Sequence, residues 1–314
     1  MGSRNSPLFI AGDWGSTRLR VYLCRGERAI DQRSGPGVFA AAGGHERVLL
    51  SLIAPWTEAH GPLPIMLCGM IGSRNGWVEA PYAPCPARPR DLYEGLVRLE
   101  AGGATVLILP GVCDRDAGGA PEAMRGEETQ VFGALALEPA LAQGRWRLAL
   151  PGTHTKWVTV VDGRIVGLRT ALTGELFALL RSQGSLAAIE GGGSADGDDG
   201  FRLGLERQAD RSAPGLLHQV FETRSRQLLD GWSPAFALDF LSGLLIGADV
   251  RDGLGAMAHA GPEIVLIGEP ALTGRYRQAL ARFGAPSRSL SGEDCALAGL
   301  RLIAFSERAG HALH

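Results

Sequence analysis

The chain has 314 residues, of which 45% are hydrophobic and 20% charged, so it carries enough apolar material for one or two packed cores. Its 31 basic and 33 acidic residues nearly cancel, which argues against a nucleic-acid or anionic-membrane binder that works through net charge. No apolar run approaches the ~20 residues of a membrane span and no hydrophobic signal core opens the chain, so we expect a cytoplasmic protein without membrane contact. The five cysteines form no Cys-x-x-Cys pair, which favours reduced thiols.

The first half of the chain predicts a β-meander followed by alternating helices and strands. Short apolar runs separated by Gly-bearing turns are typical of paired strands, and longer periodic runs indicate helices. In chain order the expected elements are strands at 8–14, 18–24 and about 28–32, a helix at about 44–60, a strand at 64–69, a helix at about 90–100, a strand at 105–109 and a helix at about 127–140.

The second half repeats this order of elements. Its expected elements are strands at 146–150, 156–161 and 164–171, helices at about 174–182, 213–229 and 234–257, a strand at 263–267, and helices at 271–283 and 292–306. Two halves with the same order predict two related α/β domains, residues 1–143 and 144–314, that face each other across a cleft.

Two polar turns occupy equivalent places in these halves. Asp13-Trp-Gly-Ser-Thr17 lies between the first two strands, where Gly15, Ser16 and Thr17 offer a tight backbone and donors for phosphate oxygens, and Asp13 offers a carboxylate for Mg²⁺. An ordinary hairpin turn has the same composition, so this segment alone leaves both interpretations open.

The second turn strengthens the phosphate-binding interpretation. Leu150-Pro-Gly-Thr-His-Thr-Lys156 contains the single lysine of a chain whose other basic residues are all arginine, and a lysine is a compact point charge suited to a phosphate oxygen. The residues expected to bind ATP here are Gly152, Thr153, His154, Thr155 and Lys156. A P-loop and a Gly-x-Gly-x-x-Gly fingerprint after the first strand are both absent from the sequence.

Longer motifs carry a specific family resemblance. They are Gly69-Met-Ile-Gly-Ser-Arg-Asn-Gly-Trp77 with Glu79-Ala-Pro-Tyr82, Met124-Arg-Gly-Glu-Glu-Thr-Gln130, Pro151-Gly-Thr-His-Thr-Lys-Trp157, Thr173-Gly-Glu-Leu-Phe177, Ile267-Gly-Glu-Pro and Glu293-Asp-Cys-Ala-Leu-Ala-Gly299. Together they resemble the 2-dehydro-3-deoxygalactonokinases, a family of the actin/hexokinase/Hsp70 ATPase superfamily.

The resemblance implies a fold and a reaction. The fold would be two ribonuclease-H-like domains, each a mixed five-stranded sheet flanked by helices. The reaction would be ATP- and Mg²⁺-dependent phosphorylation of the 6-hydroxyl of 2-dehydro-3-deoxy-D-galactonate, a step of galactonate catabolism. Gly268, at the expected helix past the adenine, would allow close approach of the base.

The catalytic base is expected at the start of the helix that leaves the first domain, where sugar kinases of this superfamily place a carboxylate. Glu127 and Glu128 stand there, and the sequence slightly favours Glu128 without separating them. Acidic residues also favour the first turn of any helix through its dipole, which is the structural alternative. We expect both Asp13 and Glu128 in solvent-facing turns, with large losses of turnover on replacement by alanine.

The sugar acid carries a carboxylate, which calls for arginine or backbone amides. The residues expected to bind this small molecule are Ser73, Arg74, Asn75, Trp77, Tyr82 and Arg125. Each arginine, taken singly, is more often a surface residue, and the aromatic residues are just as often loop plugs.

Two rival functions stay open on the sequence. One is another phosphotransferase or phosphatase of the superfamily, such as an N-acetylhexosamine kinase or an exopolyphosphatase, and the other is a non-catalytic sugar sensor or repressor. Only about seven residues precede the first strand, which leaves no room there for a DNA-binding module. The sequence does not set the oligomeric state, and a homodimer is one expectation.

Overall fold

The structure is a computed structural model that describes residues 6–115, 118–183, 198–255 and 263–305. Its strands are β1 (Leu8–Trp14), β2 (Arg18–Arg25), β3 (Arg28–Pro36), β4 (Ile65–Cys68), β5 (Tyr82–Pro84), β6 (Val97–Ala101), β7 (Ala104–Ile108), β8 (Gly111–Arg115), β9 (Pro121–Met124), β10 (Arg145–Leu150), β11 (Thr155–Val161), β12 (Arg164–Ala171), β13 (Ile264–Gly268) and β14 (Ser287–Ser291). Its α-helices are α1 (His45–His60), α2 (Pro89–Glu94), α3 (Glu127–Leu137), α4 (Thr173–Ser182), α5 (Asp199–Ala209), α6 (Leu216–Leu229), α7 (Pro234–Gly255), α8 (Pro270–Arg282) and α9 (Gly292–Ala304). Within these ranges, no helix carries an apolar stretch long enough to cross a bilayer.

The first sheet has the strand order β3-β2-β1-β4-β7-β6. β1, β2 and β3 pair antiparallel as a meander, whereas β4 lies parallel to β1 and β7 parallel to β4. The expectation of five strands is wrong for this sheet, because β6 adds a sixth at the edge. Residues 97–101 alternate between partly buried and exposed positions and turn back onto β7 through Gly102 and Gly103, both at positive φ, so they form a strand where the end of a helix was expected.

The second sheet has the order β12-β11-β10-β13-β14, with β13 parallel to β10. Each of the two sheets therefore contains a three-strand meander followed by strands reached through helical connections. β14 was not expected, since its sequence Ser-Arg-Ser-Leu-Ser is polar and lacks the apolar run by which strands are recognised.

The sequence did not predict several other elements either. β5, β8 and β9 form a separate three-stranded sheet, and α5 begins inside a Gly- and Asp-rich stretch that reads as a loop. The helix expected at 127–140 ends at Leu137 and is followed by a short 3₁₀ helix at Pro139–Ala142.

Contacts divide the chain into two compact units. One contains residues 1–145, 159–168 and 291–314, and the other contains residues 146–158 and 169–290. The final helix α9 thus belongs to the unit of the first sheet, whereas the predicted division places a single cut after residue 143.

Helix α3 is fixed in the first unit by direct backbone contact with α9. A Cβ atom on Gly133 would lie 1.7 Å from the Cys295 carbonyl oxygen, and one on Gly299 would lie 2.0 Å from the Thr129 carbonyl oxygen. Only glycine fits at either position, so the backbones of the two helices are in direct contact. Because α3 begins at Glu127, this contact also sets the position of the candidate base.

We expect Gly133→Ala to lower the free energy of unfolding by about 1–3 kcal/mol or more, because backbone atoms and not a flexible side chain must move. Gly274→Ala in α8 is the matched control, since its new Cβ meets nothing within 4 Å. That substitution should leave the melting temperature unchanged or raise it. The measurement is the melting temperature of both variants by thermal unfolding. Equal melting temperatures would contradict the close approach of α3 to α9.

Candidate active site

The carboxyl ends of β1 and β4 bring Asp13 beside Cys68, its partner in the parallel register. The Cys68 thiol donates weakly to Asp13 Oδ1 at 3.9 Å. A Cβ on Gly69, which has φ +92°, would lie 3.1 Å from the same oxygen, and one on Gly126 would lie 3.1 Å from the Gly69 Cα. The sheet edge therefore places Asp13 close to the residues that begin α3.

Asp13 is a partly buried carboxylate in a field of mixed charges. Burial raises its pKa to about 6; the Arg20 guanidinium opposes this rise, and the Glu127 charge adds to it. Arg20 also lies 3.7 Å from Glu293 of α9. Asp13 is thus an oxygen ligand whose ionised form would be stabilised by an added cation.

Glu128 lies in the first turn of α3 and is 0% exposed, so the expectation of a solvent-facing turn is wrong for it. Both carboxylate oxygens accept the Gly126 amide proton, at 2.9 and 2.7 Å, and the Thr129 hydroxyl donates at 3.1 Å. Burial, and then the Glu127 charge, raises the pKa of Glu128 to about 8. The next residue, Thr129, is also fully buried, where α9 meets the α3 backbone.

Glu127 differs from its neighbour in access. It is only partly buried, and one of its carboxylate oxygens accepts the Arg125 amide proton at 3.0 Å. Its charge acts on both Asp13 and Glu128. Of the two candidates, Glu127 is the one whose carboxylate a ligand can approach without unpacking the helix.

The donor set around Asp13 suits magnesium. Mg²⁺ prefers oxygen ligands, keeps several waters, and needs one or two carboxylates in addition to phosphate oxygens. Asp13 supplies such a carboxylate next to a second acidic side chain, and burial is the main cause of its raised pKa. Among the described residues, no three His, Cys, Asp or Glu side chains converge as a complete metal cage.

The turn after β1 is held by its own backbone. The Gly15 amide donates to the Arg18 carbonyl at 2.9 Å, and the Gly15 carbonyl accepts from Val38 at 3.0 Å. Ser16 is partly buried and Thr17 exposed, so both hydroxyls border solvent.

The turn after β10 packs against the start of α4 in the second unit. A Cβ on Gly174 would lie 2.3 Å from the Gly152 carbonyl oxygen, and the Glu175 amide donates to the Thr153 carbonyl at 2.8 Å. His154 Nε2 and Glu175 Oε2 lie 2.5 Å apart. This close packing gives the turn a defined shape at the carboxyl end of β10.

Three further residues predicted to bind ATP lie around this turn. Gly268 is the last residue of β13, and a Cβ there would lie 3.4 Å from the Pro151 carbonyl oxygen. Thr155 is fully buried and bonded to the Tyr276 hydroxyl, and the buried Lys156 ammonium donates to Thr170 Oγ1 at 3.1 Å. Gly152, Thr153 and His154 remain accessible at the turn itself.

A cavity of about 480 Å³ opens beside this turn within the second unit. Sequence reasoning missed most of its walls, which come from α4, α7 and α8 and include Phe177, Arg181, Leu238, Asp239, Ser242 and Arg275. Its lining is mainly apolar with a few polar groups, which is typical of small-molecule sites. The motif Thr173-Gly-Glu-Leu-Phe177 was the one signal for it in the sequence.

The residues predicted to hold the sugar acid separate into two groups in the first unit. Arg74, Asn75 and Trp77 line a cavity of about 1050 Å³ together with residues 42–47, 50 and 51. Ser73 precedes them, with its hydroxyl buried and unpartnered.

Arg125 and Tyr82 form the second group. Arg125 is 8% exposed, and its guanidinium lies 4.2 Å from the centre of the Tyr82 ring and donates to the Ala80 carbonyl at 2.7 Å. Its Nε and Nη1 atoms have no hydrogen-bond partner in the described structure. Buried charged donors without an acceptor are costly, so this side chain is one that an anion would stabilise.

Comparison with known proteins gives matches along almost the whole chain. The family model for 2-keto-3-deoxy-galactonokinase matches residues 13–303. The 2-dehydro-3-deoxygalactonokinase of Escherichia coli (strain K12) is 36% identical over 300 residues, which cover 95% of this chain and 98% of that protein. A crystal structure described as a 2-dehydro-3-deoxygalactonokinase protein from Sinorhizobium meliloti superposes with a TM-score of 0.85 at 32% identity, covering 94% of this chain and 98% of the other.

A more distant likeness concerns the fold alone. The activator of the 2-hydroxyisocaproyl-CoA dehydratase from Clostridium difficile, solved with bound ADPNP, has a TM-score of 0.52 at 13% identity and covers 97% of this chain and 96% of its own.

The mixed α/β fold and the matches over nearly its full length define this chain as a sugar-acid kinase. Within that class, the chain belongs to the 2-keto-3-deoxy-galactonokinase family.

Proposed function

We propose that this chain transfers the γ-phosphoryl group of ATP to the 6-hydroxyl of 2-dehydro-3-deoxy-D-galactonate, giving the 6-phosphate and ADP in galactonate catabolism. The observation that carries the proposal is 36% identity to the Escherichia coli 2-dehydro-3-deoxygalactonokinase over 95% of the chain. The carboxylates at the edge of the first sheet and the cavity beside the Gly152 turn supply the chemical parts that phosphoryl transfer needs.

The acceptor hydroxyl must lose its proton as the new O–P bond forms and the bond from the γ-phosphorus to its bridging oxygen breaks. A carboxylate within hydrogen-bond reach orients the hydroxyl and accepts that proton. We assign this role to Glu127, because it is accessible while the carboxylate of Glu128 is buried and bonded to the Gly126 amide. Glu128 then fixes the start of α3 and so positions its neighbour.

The phosphate groups are assigned to the two turns. Asp13 would hold Mg²⁺, which neutralises phosphate charge when bound, and Gly15, Ser16 and Thr17 border the same sheet edge. Gly152, Thr153 and His154 form the accessible turn beside the cavity of the second unit, which has room for a nucleoside. Thr155 and Lys156 support that turn from the buried side.

We assign the substrate carboxylate to Arg125. A guanidinium with two unpartnered donors matches a carboxylate, and the Tyr82 ring, itself 43% exposed, covers it. Arg74, Asn75 and Trp77 line the cavity of about 1050 Å³ and are assigned to the carbon chain of the sugar acid.

We expect Arg125→Lys to raise the KM for the sugar acid about tenfold or more, because a single ammonium does not reproduce the guanidinium fork. The KM for ATP should stay within about twofold, the scale expected of an unrelated site. Arg98→Lys is the matched control, because Arg98 is an exposed side chain of the first unit that pairs with Glu100. The measurement is steady-state kinetics with each substrate varied in turn. An unchanged KM for the sugar acid would exclude Arg125 from the binding site.

The function itself is tested by coupled ADP release over a panel of 2-keto-3-deoxy sugar acids, with Mg²⁺ and ATP. Turnover that is greatest on 2-dehydro-3-deoxy-D-galactonate supports the proposal. Greater turnover on another sugar or sugar acid indicates a different kinase specificity, and ATP binding without turnover on any of them indicates a sensor.

Further expectations belong to the same proposal. The shared strand order of the two sheets supports two ribonuclease-H-like domains, and the cleft between them stays a prediction. The homodimer and the cytoplasmic location are tested by light scattering and by cell fractionation.

A further inference from the structure

A buried carboxylate on α7, Asp249, binds side chains from several other elements of the second unit. Asp249 is 7% exposed and accepts three hydrogen bonds from side chains on three other elements. Trp157 Nε1 donates at 2.7 Å, Thr173 Oγ1 donates at 2.7 Å, and the Tyr276 hydroxyl donates as well. The negative charge is therefore satisfied by neutral donors, with no basic partner among the contacts described.

The carboxylate also sets the direction of the hydrogen bonds around it. The Tyr276 hydroxyl has one proton and donates it to Asp249 Oδ2. Burial, and then the Asp249 charge, holds the pKa of Tyr276 well above its usual value, so the phenol stays protonated. Thr155 Oγ1, 2.6 Å from the Tyr276 oxygen, must then be the donor in that pair.

These contacts converge on the parts of the unit assigned to ATP. Thr173 is the first residue of α4, and the next residue, Gly174, packs on the Gly152 carbonyl. Thr155 is the first residue of β11, directly after the turn that contains Gly152. Thr173 and Tyr276 also line the cavity of about 480 Å³.

The backbone of helix α7 packs directly against the Trp157 side chain, which fixes the position of the helix. A Cβ on Gly253 would lie 2.4 Å from the Trp157 ring, so the helix backbone rests directly on the indole whose N–H binds Asp249. A carboxylate on this helix thereby joins α4, α8 and β11.

We propose that Asp249 is a positioning residue for the nucleotide: it holds Thr173 and, through Tyr276, Thr155 in the places that give the Gly152 turn and the start of α4 their shape. The inference rests on the proposed use of ATP. It predicts that Asp249 acts on ATP affinity and leaves the handling of the sugar acid unaltered.

The test is Asp249→Asn in the full chain. If the asparagine NH2 takes the Oδ2 position, it faces the two donors Thr173 and Tyr276, and if it takes the Oδ1 position, it faces Trp157 Nε1. In either orientation at least one hydrogen bond to this side chain is lost. We expect the Kd for AMP-PNP, measured by calorimetry, to rise about ten- to a hundredfold, the scale of one misplaced buried hydrogen-bonding group. The KM for ATP should rise in parallel, and the KM for the sugar acid should stay within about twofold.

Gln219→Leu is the matched control for general destabilisation. Gln219 is buried in the same unit, bonded to Gln208 and to the Pro214 carbonyl, and it does not line the cavity. The Gln219→Leu substitution should lower the melting temperature and leave the Kd for AMP-PNP unchanged. Equal weakening of AMP-PNP binding in this control and in Asp249→Asn would mean that the effect follows stability, and the proposal would be wrong.

Tyr276→Phe keeps the inference testable if Asp249→Asn does not fold. It retains the ring and the Trp157 and Thr173 bonds, but it removes the link to Thr155. A rise in the Kd for AMP-PNP supports the positioning role, and an unchanged Kd overturns it. A wild-type chain that does not bind AMP-PNP overturns the proposed function as well, whereas wild-type binding with unaltered variants overturns the positioning role alone.

Discussion

Replacing Asp13 with asparagine is expected to lower kcat by about 10²–10³-fold, because the variant loses the carboxylate that we assign to Mg²⁺ at the transferring phosphate. The substitution keeps the shape of the side chain. The remaining activity should need a higher Mg²⁺ concentration for half-saturation. The measurement is kcat as a function of Mg²⁺ concentration in the presence of saturating ATP and sugar acid.

The same variant should be at least as stable as the wild type above pH 6. Burial raises the pKa of Asp13 from 3.8 to about 6, so the folded state holds this proton more tightly than the unfolded chain. The stability gained from binding this proton to Asp13 is fully present below about pH 3.8 and is lost as the pH rises through about 6. Asparagine cannot ionise and escapes this loss.

Asp252→Asn is the control for removing one aspartate charge, since its side chain is 80% exposed. It should leave kcat and its Mg²⁺ dependence unchanged. Full activity of Asp13→Asn at the wild-type Mg²⁺ concentration would exclude Asp13 from metal binding.

The second large effect separates the two glutamates of α3. Glu127→Gln should lower kcat by about 10²–10⁴-fold, the usual contribution of a general base. Glu128→Gln should cost far less, because the glutamine carbonyl can still accept the Gly126 amide proton and this side chain is fully buried. Steady-state kcat of the two isosteric variants, each paired with a melting curve, makes the comparison.

The pH dependence of stability gives an independent check on Glu128. Because its pKa is raised from 4.5 to about 8, its contribution is fully present below about pH 4.5 and is lost as the pH rises through about 8. Glu128→Gln should therefore gain stability relative to the wild type between pH 6 and pH 9. A larger loss of kcat in Glu128→Gln than in Glu127→Gln, with both variants folded, would reverse the two roles.

The sequence could not separate Glu127 from Glu128. Two adjacent acidic residues in the first turn of a helix are equivalent in any local pattern, since both favour the helix dipole. The difference between them arises from α9, about 160 residues later in the chain, whose Cys295 and Gly299 meet the α3 backbone. Glu128, next to Thr129 at this contact, is fully buried, and Glu127 is partly exposed.

Long-range packing also decided which cavity walls surround the Gly152 turn. The turn itself is visible in the sequence, because Gly, Thr and His between two strands have a recognisable composition. Phe177, Asp239 and Arg275 lie on three different helices with no shared spacing, and they meet only through the fold. Asp249 is hidden for the same reason, since its donors Trp157, Thr173 and Tyr276 come from separate elements.

The sequence by itself determined the family, the meander that opens each half and the positions of both polar turns. These features depend on residues close together in the chain, where periodicity, glycine turns and motif spacing leave a direct record. The tertiary structure alone decided the sixth strand of the first sheet, the place of α9 in the first unit and the burial of Glu128. Each of these depends on which distant backbones approach within a few ångströms, and that proximity leaves no local pattern to detect.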